Sequence, residues 1–334
     1  MTFFAKRAVS ALIVLWGTAT IIFFLSYSIP SDPARAALGQ DAPESQVLAY
    51  RKTLGLDRPL YVQYERYIER LAHGNLGVSI ISQQPVANEL GRLLPATFEL
   101  VFPSLVLSLV LGVTLGVIAA VHAGHWQDRL SQVLALFGLS MPIFWLGLLL
   151  QLLFYAKLGW LPLSGRLPPG VNPPGTITGS YVLDALLHGQ FGLAWLAAKY
   201  LILPTIALTT WNLPLTARLT RGVMLEVLGT DYIRTARSKG LTESRVLMRH
   251  AIRNAMIPVA TIFGLQVGST LGGAVVTETV FSYPGAGRAL AQAVVSLDYP
   301  VITGFTLVLC LSYVVANLVV DVSYVFLDPR IKLA

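Results

Sequence analysis

Six uncharged apolar runs are spaced along the chain. They cover 8–29, 100–121, 133–156, 200–217, 255–276 and 301–320, and the fourth is the weakest. A helix needs roughly 20 such residues to cross a hydrocarbon core of about 30 Å. None of the runs alternates apolar and polar positions as barrel strands do. Backbone in lipid must satisfy its own hydrogen bonds, so these runs predict helices. Pro103, Pro142, Pro204 and Pro214 lie inside them and predict kinks. Lys6-Arg7 precedes the first run, as it would in a cleaved signal peptide. That run is too long for a signal core and no small-x-small site closely follows it, so it reads as a retained span.

The segments between the runs carry weaker patterns. In the 30–99 stretch, Asp57-Arg58-Pro59 resembles a helix start. Leu60, Tyr64, Tyr67, Ile68 and Leu71 then recur at helical spacing, and Gly74 can end the helix. Such a stripe packs either on the bundle or against an external partner. The 158–198 stretch is rich in Gly and Pro and reads as loop. Between the fourth and fifth runs the pattern is more regular. Thr230-Asp231 marks a helix start, with Asp231 at the positive end of the dipole. Arg237 and Lys239 fall in the last turn, and Gly240 fits the position just past the end. Thr242 and Glu243 open a second helix that runs toward Pro258.

Composition agrees with a polytopic membrane protein. Of 334 residues, 54% are hydrophobic and 12% charged, against about 25% charged in soluble domains. The mean hydropathy is +0.65. Net charge is +7, which on a soluble protein would suggest nucleic acid. Its distribution says otherwise. With a cytoplasmic N-terminus, the segments 1–7, 122–132, 218–254 and 321–334 hold 13 basic and six acidic residues, and the rest of the chain balances. Outside the long 30–99 segment, only Lys157, Arg166, Lys199 and Arg288 lie on the far side. The positive-inside rule therefore predicts six spans with both termini inside. Eight of the inner basic residues lie in the third inner loop: Arg218, Arg221, Arg234, Arg237, Lys239, Arg245, Arg249 and Arg253. They fit lipid headgroups or a soluble partner.

Most chemistry is missing. No Gly-Lys dipeptide occurs, so there is no Walker A loop, and no zincin or nucleophile-elbow motif is present. The single Cys310 excludes an internal disulfide and any cysteine-based metal site. The five histidines are scattered, and His122 and His125 read as surface residues. Spans free of ionisable residues argue against coupling to protons. Gly112 and Gly116, and Gly264, Gly268 and Gly272, predict close helix packing. Ser140, Gln151, Thr209, Thr210, Asn212, Gln266 and Asn317 either line a polar path or bond between helices. The candidate translocation path is taken as Ser140, Thr209, Asn212, Gln266 and Asn317.

The stretch DYIRTARSKGL…VLMRHAIRNAMIP, 231–258, resembles the ATPase-contacting loop of bacterial ABC importer permeases, in particular the dipeptide/oligopeptide/nickel branch. The general loop reads Glu-Ala-Ala-x-x-x-Gly. Arg234, Thr235, Ala236 and Gly240 stand at the matching positions, and the leading Glu is absent. Further matching stretches are IPSDPA (29–34), HGNLGVS (73–79), LPATFEL (94–100), SMPIFWLG (140–147), LPLSGR (161–166), TETVFSYPGAGR (277–288) and DYP (298–300). The long segment between the third and fourth spans is most similar to the larger of the two dipeptide permease subunits.

The resemblance implies an all-α polytopic membrane protein with six transmembrane helices, the type I ABC importer permease fold and an inner-membrane location. It implies an N-terminal helix at 1–30, a periplasmic segment at 31–97 and a permease core at 98–327 with its coupling loop at 218–254. The expected coupling set is Asp231, Tyr232, Arg234, Thr235, Ala236, Lys239 and Gly240. The implied partners are a homologous second permease subunit, two cytoplasmic ABC ATPases and a periplasmic substrate-binding protein, besides membrane lipid, with no nucleic acid. ATP and Mg would be bound by the ATPases, so no cofactor and no catalytic residue is expected in this chain. The implied cargo is a dipeptide or short oligopeptide, with nickel, glutathione or another small solute as the alternative. A self-sufficient channel or carrier would not need the partner-ready inner loop, and a membrane enzyme would need a catalytic constellation.

Overall fold

The computed structural model describes residues 2–28, 33–39 and 41–327. Residues 29–32 of the IPSDPA stretch and the basic residues Arg330 and Lys332 lie outside the described residues. The regular structure of the described residues is helical apart from one antiparallel bridge between Val78 and Pro85. In order, the helices are α1 (Thr2–Ser28), α2 (Pro33–Leu38), α3 (Glu44–Leu54), α4 (Leu60–Ala72), α5 (Val86–Val121), α6 (Trp126–Ser140) and α7 (Ile143–Leu150, continued by a π-helical turn over Gln151–Lys157). There follow α8 (Tyr181–Leu187), α9 (Phe191–Leu228), α10 (Asp231–Ser238) and α11 (Glu243–Arg245). A π-helical turn over Val246–Ala251 joins α11 to α12 (Ile252–Val280), and α13 (Ala286–Ser296) and α14 (Tyr299–Leu327) complete the chain. Two compact units result: 1–95 with 285–314, and 96–284 with 315–334.

In the first unit the α4 stripe packs on α1. The Tyr64 hydroxyl shares a 2.8 Å hydrogen bond with Thr20, and the Tyr67 hydroxyl donates to the Ala19 carbonyl at 3.1 Å. The rings of both tyrosines lie 5.2 Å from that of Phe23. Burial pushes the Tyr67 phenol up to about 12, so it remains a donor. Pro59, not Asp57, occupies the position before α4, and no side chain caps it. Gly74 does end the helix, at φ +71°, with the Asn75 N–H returning to the Arg70 carbonyl. A buried polar knot closes the unit. Asp298 accepts from the Ser79 hydroxyl and from the Ile80 and Ile81 amides, both at 3.2 Å. Here the matching stretches 73–79 and 298–300 meet. Beside them, a Cβ on Gly77 would stand 3.4 Å from Pro300, which is ordinary van der Waals contact.

In the second unit α5 and α9 run parallel. Ser104 lies against Thr205 and Thr209, whereas Gly112 and Gly116 lie against Thr216 and Thr220. Both helices therefore end on the same side, and the chain between them must cross back. The pair α6–α7 makes that crossing. Asp128 bonds Arg221, Gly138 packs on Pro214, and Gly147 reaches Val280 and Phe281 at the opposite end. The pair is bent, as Pro142 within the run at 133–156 predicts, and α6 and α7 meet at 102°. Pro142 causes the break: Met141 before it is extended (φ −92°, ψ 122°), as a residue preceding proline tends to be. By contrast, α9 continues as one helix through Pro204 and Pro214. Among the described residues five helices are long and apolar enough to span a membrane, and six crossings result with the bent pair α6–α7 taken as one span.

Two expectations need correction. The 158–198 segment is not all loop: α8 lies within it, and α9 begins at Phe191. The Ser180 hydroxyl caps α8 by accepting from the Leu183 amide. Asp184 reaches back to the amides of Ile177, Thr178 and Gly179. Burial works against its charge, but these bonds outweigh it and hold the carboxyl below its usual range. The glycine stripe of α12 is also not uniform. A Cβ on Gly264 would lie 2.9 Å from Val320, whereas one on Gly272 would meet nothing within 4 Å. Gly273, outside the stripe, faces Leu208 at 3.1 Å.

The α5–α9 seam is tighter. A Cβ on Gly116 would lie 2.5 Å from Thr220 Cβ and 2.6 Å from the Ala217 carbonyl. One of these neighbours is backbone and cannot rotate away. Gly116→Val is expected to push the two helices apart at a cost of about 1–3 kcal/mol, the usual range for overpacking. Thermal unfolding in detergent checks this, and an unchanged midpoint would refute the close seam.

Candidate functional site

The loop between α9 and α12 is built on an apolar floor. Ile233 and Ala236 of α10 are buried with Ala120, Met224, Val246, Ala251 and Ala255. Spacing of three residues puts Ile233 and Ala236 on one face of the short helix. The other face carries Asp231, Tyr232, Arg234, Thr235 and Arg237, all exposed, with Lys239 and Gly240 exposed just beyond the helix. Of the expected coupling set, Ala236 alone points into the protein, where its small size lets α10 lie close to the helices beneath.

The ends of α10 follow the local sequence. Thr230 stands at the N-cap in extended conformation, but its hydroxyl donates backward to the Val227 carbonyl at 2.6 Å and caps nothing. At the other end the Gly240 amide bonds the Arg237 carbonyl and the Leu241 amide bonds the Ala236 carbonyl, the paired bonds of a Schellman turn. Gly240 takes φ +76°, and a Cβ there would meet nothing within 4 Å. Leu241 folds onto the apolar floor. Arg237 crosses the turn to Glu243 at 2.8 Å, and the Tyr232 hydroxyl accepts from Asn254 at 3.0 Å. The Arg234–Asp231 pair is fully open to solvent at 3.3 Å, and such pairs contribute little.

Part of the inner charge is spent within the chain. Arg221 forms a two-pronged pair with the buried Asp128, at 2.6 and 2.8 Å. Gln132 and the Gly124 amide complete the carboxylate's partners. This geometry ties the start of α6 to α9. His122 and His125 bond only nearby carbonyls through Nδ1. Among the described residues, no group of three or more His, Cys, Asp or Glu could hold a metal.

Of the five candidate path residues, Thr209, Asn212 and Gln266 are buried between helices, whereas Ser140 is exposed and Asn317 half-buried. Asn212 and Gln266 are buried and bond each other's helices. Gln266 Nε2 donates to the Asn212 carbonyl at 3.1 Å and to Thr216 Oγ1 at 3.0 Å, and Asn212 Nδ2 donates to Thr270 Oγ1 at 2.6 Å. Thr209 is buried against Ser104. Ser140 is exposed beside the α6–α7 break, its hydroxyl turned to the Leu136 carbonyl. Asn317 is half-buried beside Gly264. Asn212 and Gln266 therefore take the interhelical role of polar residues in membrane bundles.

At the opposite end of the second unit lies a cluster that the apolar runs gave no sign of. Glu99, one residue before the second run, is 9% exposed. Its carboxylate accepts from Arg166 Nε, Ser180 Oγ, the Val182 amide and the Tyr283 hydroxyl, each at 2.8 Å. Arg166 also donates to the Gly179 carbonyl at 2.6 Å, and its guanidinium lies 3.6 Å above the Tyr181 ring. Two residues before Glu99, the Thr97 hydroxyl donates to the fully buried Glu278 at 2.6 Å. Burial, with Glu99 beside it, raises the Tyr283 phenol well above its usual value, so it stays a donor. Desolvation works against the Arg166 charge, but Tyr283 and Glu99 more than offset it. A signal did exist in the sequence: LPATFEL, LPLSGR and TETVFSYPGAGR each supply members.

The family described as "Binding-protein-dependent transport system inner membrane component" matches residues 112–333, and the corresponding N-terminal family matches 1–101. The probable D,D-dipeptide transport system permease protein DdpB of Escherichia coli (strain K12) is 45% identical over 334 residues, covering 99% of this chain and 98% of that one. The dipeptide transport system permease protein DppB of Alkalihalophilus pseudofirmus is 44% identical over 333 residues, covering 99% and 100%. Among solved structures, inward-facing MetNI methionine ABC transporter matches with a TM-score of 0.52 at 15% identity, covering 70% of this chain and 93% of that one, which supports the fold alone. With this fold and these matches along nearly its whole length, the chain belongs to the family of binding-protein-dependent transport system inner membrane components, as a multi-pass permease subunit and not an enzyme.

Proposed function

We propose that this permease imports dipeptides or short oligopeptides, driven by ATP that partner subunits hydrolyse. The observation that carries the reading is α10: a short helix held to the core by Ile233 and Ala236, with Asp231, Tyr232, Arg234, Thr235, Lys239 and Gly240 left outward. That face receives an ABC ATPase. The excess of basic residues around it puts this end in the cytoplasm. Relatives at 44–45% identity that are named as dipeptide permeases support the cargo. The full assembly is this chain, a homologous second permease, two ATPases that hold ATP and Mg, and a periplasmic binding protein. Cargo passes between the two permeases, which agrees with Asn212 and Gln266 bonding between helices of this chain.

The test is reconstitution with the products of neighbouring genes in vesicles, followed by uptake of labelled dipeptides, longer peptides, glutathione and nickel. Dipeptide uptake that requires ATP, the ATPases and the binding protein is the expected result. Preference for glutathione or nickel would overturn the cargo, and uptake by this chain alone would overturn the mechanism.

A further inference from the structure

We propose that Glu99 and Arg166 are positioning residues for transport. They clamp the outer loop, 158–184, to α5 at the outer start of its apolar run and to the outer end of α12, so that a displacement received at α10 carries the loop with the helices. The inference rests on the reading that α10 receives the ATPase.

The connection is physical at each step. At the inner end, α10 shares its apolar floor with the π-helical turn and first turn of α12, through Val246, Ala251 and Ala255. From Glu243 to Val280 the chain is one 38-residue helix, about 57 Å long at 1.5 Å per residue. At the outer end Glu278 bonds Thr97 of α5, and Tyr283 bonds Glu99 of α5. The loop is bound to this same point. Arg166 joins it to Glu99, the Gly165 amide bonds the Phe281 carbonyl at 2.9 Å, and Gln151 bridges the Leu163 and Val280 carbonyls. Ser282, between the buried Phe281 and Tyr283, adopts φ +47°, a conformation that a non-glycine residue keeps only where its surroundings hold it. A buried ion pair is weak evidence of net stability, because well-packed neutral groups do as well. What Glu99 adds is convergence: one carboxylate joins the loop, the start of α8, α5 and the α12 elbow.

The experiment uses the full transport complex in vesicles. Glu99→Gln with Arg166→Gln removes both charges together and leaves none buried alone. Two readouts are taken: dipeptide transported per ATP hydrolysed, and the spin-label distance between Val171→Cys in the loop and Ser238→Cys at the end of α10, in a Cys310→Ala background. Wild type should show one narrow distance distribution with and without trapped ATP. In the double variant the distribution should broaden, and transport per ATP should fall at least about fivefold, the lower end of measured site-to-site couplings. A wild-type transport ratio or a wild-type distribution overturns the proposal. If the double variant does not assemble, Tyr283→Phe takes its place, and a wild-type ratio there overturns the proposal equally. Failure of wild type to import dipeptide would count against the transport reading, and the clamp would then be judged by the distance distribution alone.

Discussion

Gly240→Asp is expected to insert and fold normally and to lose ATP-driven uptake. The backbone argument alone predicts a mild effect. Gly240 sits at φ +76° with open space around the missing Cβ. Asp tolerates the left-handed region better than most residues, for which that conformation costs about 1–2 kcal/mol. That is too little to unfold a bundle whose loop is anchored by Ile233, Ala236 and Leu241. What changes is the outward surface, where a carboxylate now stands at the exposed end of α10. Gly240→Asn has the same size and the same tolerance of positive φ without the charge, so it should retain a substantial part of the uptake. Membrane insertion, complex assembly and uptake measured together decide the matter. Normal uptake by Gly240→Asp would remove the coupling role from this turn. Equal loss with Asp and Asn would shift the cause from charge to shape.

The second large effect falls on stability. Glu99→Ala leaves the Arg166 guanidinium buried without its carboxylate, and removing one partner of a buried pair typically costs about 3–5 kcal/mol. It also strands the Tyr283 hydroxyl, which is buried against Glu99. Glu99→Leu with Arg166→Met replaces the whole pair and should come much closer to wild type. Thermal unfolding of the purified chain in detergent separates the two cases. If single and paired replacement lower the midpoint alike, the ion pair is not the source of the cost. The contrast matters for the clamp as well, because a neutral pair that folds is what allows positioning to be measured apart from folding.

Much of this architecture was legible in the chain because its signals are local. Apolar run length marked every crossing, since a bilayer sets a minimum apolar length for each spanning helix. The Thr-Asp start and the Lys-Gly stop of α10 were legible because caps and αL turns are set by a few consecutive residues. The angle between α6 and α7 was not. Pro142 announced a kink, but proline equally permits the continuous α9, so its effect depends on what the neighbouring helices allow. The roles of Asn212 and Gln266 were also hidden. A polar residue in a span reads the same whether it faces a path or another helix, and only their partners on α9 and α12 distinguish the two.

The sequence by itself determined the membrane class, the six crossings, their polarity, the short inner helix with its glycine stop and, through dispersed matching stretches, the family. These follow from hydropathy, charge bias and short-range backbone rules. Tertiary structure alone decided which polar groups are spent inside the protein and which face outward. Glu99 meets Arg166 across 67 positions and Tyr283 across 184. No local pattern encodes a bond over such a distance, because each partner's pairing is fixed by the packing of helices that burial brings together.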